Sequence, residues 1–96
     1  MAKVERSAQA ERDLLDIWLY IAEDNPRAAD RLLDHINAAV QMLARHPQMG
    51  RRRDALGPGV RSFTVGDYLI FYLARNRDIV VVRVLSGYRD LDSLFD

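Results

Sequence analysis

The sequence predicts an α+β fold in β-α-α-β-β-β order. An N-terminal strand is followed by an antiparallel two-helix hairpin, a three-stranded antiparallel meander and a short C-terminal tail. Three observations predict it. Apolar residues recur with a helical period through the first half of the chain. One Asp-Asn-Pro step, residues 24–26, interrupts that period. From Val60 onward the period becomes two, punctuated by tight-turn residues. At 96 residues the chain reads as one domain, residues 1–96.

Residues 3–7 read as a short strand, and Ser7 is placed to cap the helix that follows. Leu14, Ile17, Trp18 and Ile21 recur at i, i+3, i+4, i+7, which makes residues 8–23 an amphipathic helix with Trp18 in the core. Asp13, Asp16, Tyr20 and Glu23 repeat on the opposite side and read as its solvated face. Pro26 suits the first turn of a second helix, with Asn25 as its cap. Ala29, Leu32, Leu33, Ile36, Val40 and Leu43 carry an apolar stripe to about Arg45. A joint this short folds two helices back on each other. "HPQMG" stops the second helix, and "LGPG" (56–59) is a rigid turn.

Three strands are expected at residues 60–65, 68–75 and 79–85. Gly66-Asp67 is a two-residue connection with glycine first, the type II′ signal. Asn76-Arg77-Asp78 makes the second tight turn. Leu69, Phe71, Leu73, Val80, Val82 and Val84 are purely apolar and are expected to face the helices. The outer face then carries Arg61, Phe63, Val65, Tyr68, Ile70, Tyr72, Ile79, Val81, Arg83 and Leu85. That assignment requires an even-length second loop, because a one-residue slip moves every side chain across the sheet. An outer face so apolar, with arginine and tyrosine among it, reads as a groove that another chain fills.

Composition narrows the function. Nearly half the residues are hydrophobic, as in a globular protein, and no window approaches the apolar length of a membrane span. The N-terminus lacks the apolar region of a secretory signal, and there is no cysteine. A cytoplasmic location is the expectation, and thiol catalysis and thiolate metal sites are excluded. The zero net charge hides a segregation: residues 1–40 carry a net −3, residues 41–89 a net +6 and residues 90–96 a net −3. The basic part is almost all arginine, since Lys3 is the only lysine. Arginine suits bidentate contact with carboxylates and phosphates.

Arg51, Arg52 and Arg53 are either a solvated loop or a contact to an anionic surface, nucleic acid or acidic protein. Arg61 and Arg83, on neighbouring strands, read as an anion clamp or as structural ion pairs. The phenol of Tyr88 titrates near ~10 and is a poor base unaided. His35 and His46 stand eleven residues apart with no third ligand nearby, so no metal site is expected. "GPG" is a turn rather than a phosphate loop, because no Lys-Ser/Thr follows it.

The "DNP" joint, "HPQMG" closing the second helix, "VRSFTVGDYLIFY" and "VVVRVLSGYRD" together give the chain, from about Asp13 to Asp90, a specific likeness. It resembles the RelE/ParE superfamily of type II toxins, and within it the ParE branch. The resemblance implies a bacterial toxin that poisons DNA gyrase by protein–protein contact, with no catalytic residue and no cofactor. It also implies a ParD-like antitoxin encoded alongside. Nucleic acid would be met only indirectly, through the antitoxin or the target.

Under the resemblance, the antitoxin-binding candidates are Arg61, Phe63, Val65, Ile70, Tyr72, Val81, Arg83 and Leu85. The target-contact candidates are Arg51, Arg52, Arg53, Tyr88 and Arg89. The alternative is a ribosome-dependent mRNA endonuclease of RelE type. There a ribose 2′-hydroxyl attacks the adjacent phosphate, and Arg61, Arg83 and Tyr88 match the positions that branch uses. The loop lysines and the histidine after the last strand do not carry over, and arginine stays protonated, so the site holds an anion but moves protons poorly. A further alternative is a non-toxic relative that keeps antitoxin binding.

Overall fold

The computed structural model describes residues 3–87, so the expectations for Tyr88, Arg89 and the tail lie outside the described residues. Strand β1 (Val4–Arg6) leads into helices α1 (Ala8–Ala22) and α2 (Pro26–Arg45). Strand β2 (Arg51–Arg52), a single 3-10 turn (Asp54–Leu56), β3 (Val60–Val65), β4 (Tyr68–Arg75) and β5 (Asp78–Ser86) follow. The five strands form one sheet in the order β1-β5-β4-β3-β2. All neighbours are antiparallel except β1, which lies parallel to β5.

Local chemistry sets the element ends. Ser7 Oγ accepts from the Ala10 N–H at 3.0 Å, capping α1. Asn25 Oδ1 accepts from the Ala28 N–H at 3.1 Å, with Pro26 in the first turn of α2. Val65 pairs with Tyr68 across Gly66-Asp67. Gly66 has φ 57° while Asp67 does not enter the left-handed region, as a type II′ turn requires. The second hairpin closes at Arg75↔Asp78, so its loop is two residues, Asn76-Arg77, and not three. Asn76 takes the left-handed φ of 51°, which asparagine tolerates.

The helices cover the other side of the sheet from the one expected. Ile70, Tyr72, Ile79, Val81 and Val84 are buried in one cluster with Ala10, Leu14, Ile36, Val40, Leu43 and Ala44. Phe63, Val65 and Tyr68 pack against that cluster half-buried. The second face has its own smaller cluster, Val60, Phe71 and Leu85, with Leu56, Leu69, Leu73 and Val82 against it. Both faces are apolar, so apolarity does not choose between them. Tyrosine misled the choice: Tyr72 is fully buried because its hydroxyl finds partners inside.

A bulge adds a second correction. Tyr72 pairs with Val81 but Phe71 pairs with Arg83, so β5 gains one residue there. Beyond it the alternation is reversed. Val84 joins the helix-facing cluster and Leu85 the opposite one, each the reverse of strict alternation.

Candidate functional site

Strand β1 covers β5 only as far as Val81. Past that point, side chains close the edge. Ser7 Oγ donates to the Val82 carbonyl at 2.8 Å. Asp13 of α1 accepts from the Val84 N–H at 3.0 Å. The same carboxylate accepts from Arg83 Nε at 2.9 Å and Nη2 at 3.1 Å, a bidentate pair. Gln9 Nε2 adds a fourth bond at 3.1 Å. Burial pushes the Asp13 carboxyl up, but the bonds from Arg83, Val84 and Gln9 outweigh it and hold the group below its ordinary value. The expected solvated carboxylate is therefore 7% exposed and ties α1 to the sheet. A signal was present in the sequence: Asp13 sits three after Ala10 and four before Ile17, on the margin of the apolar stripe.

Arg61 is engaged at the opposite side of the sheet. Its Nη1 donates to the carbonyls of Gln48 at 3.2 Å and Gly50 at 2.9 Å. Tyr72 Oη donates to the Pro47 carbonyl at 2.8 Å and accepts from the Gly50 N–H at 2.9 Å. "HPQMG" is thus cinched to the sheet by an arginine and a tyrosine. A Cβ on Gly50 would stand 2.3 Å from Tyr72 Oη, so only glycine fits there. Burial raises the Tyr72 phenol above its ordinary pKa, against the lowering pull of the Gly50 N–H and Arg61.

The sequence-derived candidates are thus dispersed. Ile70, Tyr72 and Val81 lie in the helix-facing core, and Phe63 and Val65 lie at its margin. Leu85 is buried on the opposite face, and Arg61 and Arg83 are bonded at two separate places. Their burial takes the core members off any surface a partner reaches without unfolding the sheet. His35 and His46 are both exposed, on α2 and at its end.

The accessible apolar surface lies on α1 instead. Leu15 is 56% exposed, Leu19 50% and Tyr20 75%. A groove of about 490 Å³ runs beside Tyr20, lined by Asp13, Asp16, Ile17, Tyr20, Tyr68, Val84, Leu85 and Ser86; Leu15 and Leu19 lie on another side of α1 and are not part of it. Sequence reading missed it, because its walls join α1 to Tyr68 of β4 and to Val84, Leu85 and Ser86 of β5, far apart in the chain. At the other edge of the sheet, β2 presents Arg51 and Arg52 to solvent.

Comparison with known proteins resolves the family. Residues 4–91 match the family model described as the ParE toxin of type II toxin–antitoxin systems, parDE. The chain belongs to the ParE toxin family. Two similar curated relatives are from Caulobacter vibrioides. Toxin ParE3 is 30% identical over 92 residues, covering 95% of this chain and 92% of the relative. Toxin ParE1 is 35% identical over 81 residues, covering 82% of each. Toxin RelE3 of the same organism is 31% identical over 85 residues, 88% of this chain and 92% of that one. A solved structure, the chromosomal ParDE system from P. aeruginosa, matches with a TM-score of 0.73 at 22% identity over 90% of this chain and 96% of that one. That last likeness establishes the fold. As a ParE-family toxin the protein has a cognate antitoxin as its implied partner. Among the described residues no helix is long and apolar enough to cross a membrane.

Proposed function

We propose that this ParE-family toxin inhibits DNA gyrase, or another type II topoisomerase, by protein–protein contact rather than by catalysis, and that a ParD-like antitoxin neutralises it. One observation carries this reading: of the groups that a nuclease of this fold would use, Arg61 and Arg83, the two among the described residues, are bonded within the chain. The Arg83 guanidinium is held by Asp13, and Arg61 by two loop carbonyls. Asp13 makes four bonds and is kept ionised by them, so it serves poorly as a proton shuttle. Tyr72, beside Arg61, is buried with a raised pKa and a satisfied hydroxyl.

The antitoxin, in this reading, covers the α1 face. Leu15 and Leu19 offer exposed apolar anchors, and Tyr20 with the groove it lines offers depth. Two assays on the purified chain, gyrase supercoiling and cleavage of ribosome-bound mRNA, test the reading together. Inhibited supercoiling with intact message is the expected result, and Leu15→Asp with Leu19→Asp abolishes neutralisation by the antitoxin while leaving inhibition in place. Message cleavage that disappears with Arg83→Ala, with gyrase unaffected, would assign the ribonuclease function instead.

A further inference from the structure

The arginines of the connector lie apart from the α1 face. Residues 45–61 hold Arg45, Arg51, Arg52, Arg53 and Arg61 against one acid, Asp54. The sheet gathers four of them. Arg52 lies directly opposite Arg61 and Arg51 opposite Ser62 in the β2–β3 ladder. Arg53 Nε donates to Ser62 Oγ at 2.9 Å. Like charges placed directly opposite across a strand pair repel. Arg61 directs its Nη1 at the loop carbonyls, and Arg52 meets Asp54 at 2.7 Å. That pair is well exposed on both sides, weak enough for a competing anion to displace. Arg51 is exposed and has no partner among the described residues. One charge is enough to blunt a sheet edge against mispairing; three guanidiniums on the last two strands, with Arg53 directly after β2, exceed that need.

We infer that this edge is a binding surface for the phosphodiester backbone of double-stranded DNA. Among the described residues β2 is the outermost strand, and no strand pairs with its other side. The residues between Arg45 and Arg61 include no Phe, Tyr or Trp. Proteins that hold single strands stack bases on aromatics, whereas backbone contact to a duplex asks only for cations. Asp54 is the single carboxylate in this segment, which leaves the edge strongly positive and able to draw a polyanion. The contact carries no sequence information and is a second surface, on the far edge of the sheet from the α1 groove. The inference does not rest on gyrase being the target.

Fluorescence anisotropy of a labelled 30-bp duplex, titrated with the full chain across NaCl concentrations, tests it. Three phosphate contacts, from Arg51, Arg52 and Arg53, give a log–log salt slope of about −2.7, so affinity falls about 40-fold between 50 and 200 mM salt. Arg51→Gln with Arg52→Gln lowers the slope to about −0.9, while Arg12→Gln on α1 leaves it unchanged. Circular dichroism melts check that each variant is folded. The inference is overturned by no duplex binding at 50 mM salt, or by a slope that the double variant does not change. Tighter binding to single-stranded RNA than to the duplex overturns it too. Displacement of the duplex by poly-L-glutamate at equal charge concentration assigns the edge to an acidic protein instead. Gyrase inhibition is read in a separate assay, so loss of one property is not mistaken for loss of the other.

Discussion

Asp13 is the side chain on which the junction of α1 and β5 depends. Replacing it with alanine removes the acceptor for the Val84 N–H and both bonds to Arg83. An orphaned buried N–H costs about 1–3 kcal/mol. Breaking a fully buried ion pair costs about 3–5 kcal/mol, but the Arg83 side chain is 21% exposed and recovers part of its hydration. We therefore expect Asp13→Ala to destabilise the protein by about 3 kcal/mol, or a fall of roughly 12–24 °C in melting temperature for a domain of this size. Asp13→Asn retains an oxygen for Val84 and loses the charge, so about 1–2 kcal/mol is expected.

The sign with pH follows from the direction of the shift. The folded-state pKa of Asp13 lies below its ordinary value of 3.8. Its contribution is fully present above the unfolded value and is lost as pH falls through the folded one. Urea midpoints measured from pH 7 down to pH 2 should fall for the wild type, and Asp13→Asn should remove part of that fall. A double-mutant cycle with Arg83→Gln reads the coupling directly. Alanine within about 1 kcal/mol of wild type, or a coupling of zero, would refute the reasoning.

Gly50→Ala drives a methyl into the Tyr72 ring edge, 2.3 Å from Oη, 2.7 Å from Cε1 and 2.9 Å from Cζ, and should cost more than about 2 kcal/mol; adding Tyr72→Phe removes only the nearest of these contacts, and because both changes act at one contact a less-than-additive double variant in chemical denaturation is the expected result. Ser7→Ala loses both the α1 cap and the bond to Val82, and a loss of about 1–2 kcal/mol is expected by the same measurement. Ultraviolet titration should show Tyr68 and Tyr72 ionising above 10.0, Tyr68 because burial and then Asp67 and Tyr20 raise it, and Tyr72 chiefly through burial. Both raised values mean stability that is intact below the unfolded pKa and lost as pH rises through the folded one; Tyr72→Phe should lessen that alkaline loss.

Much of this molecule was legible from residue order. The helix caps Ser7 and Asn25, the Pro26 start and the Gly66-Asp67 turn depend on neighbours a few positions away, and the chain states such chemistry locally. The "HPQMG" stop was legible too, but not its fastening by Tyr72 and Arg61, which arrive 22 and 11 residues after Gly50. Period-two patterning grouped the strand residues correctly up to the bulge, since alternation is a property of each strand alone. Which group meets the helices is a different kind of fact. Two apolar faces satisfy the same pattern, and the outcome turns on where α1 and α2 cross the sheet. The bulge at Tyr72↔Val81 is likewise settled by pairing between strands, and it reverses the alternation of everything after it. The sequence by itself determined the first strand, the two helices, the three-stranded meander, their order and the family; strand β2, expected as loop, exists only through its pairing with β3. Tertiary structure alone decided that Asp13 is a buried partner of Arg83 rather than a solvated charge, and that the accessible surfaces are an α1 face and an arginine edge. Exposure belongs to the assembled layers, and no single segment carries it.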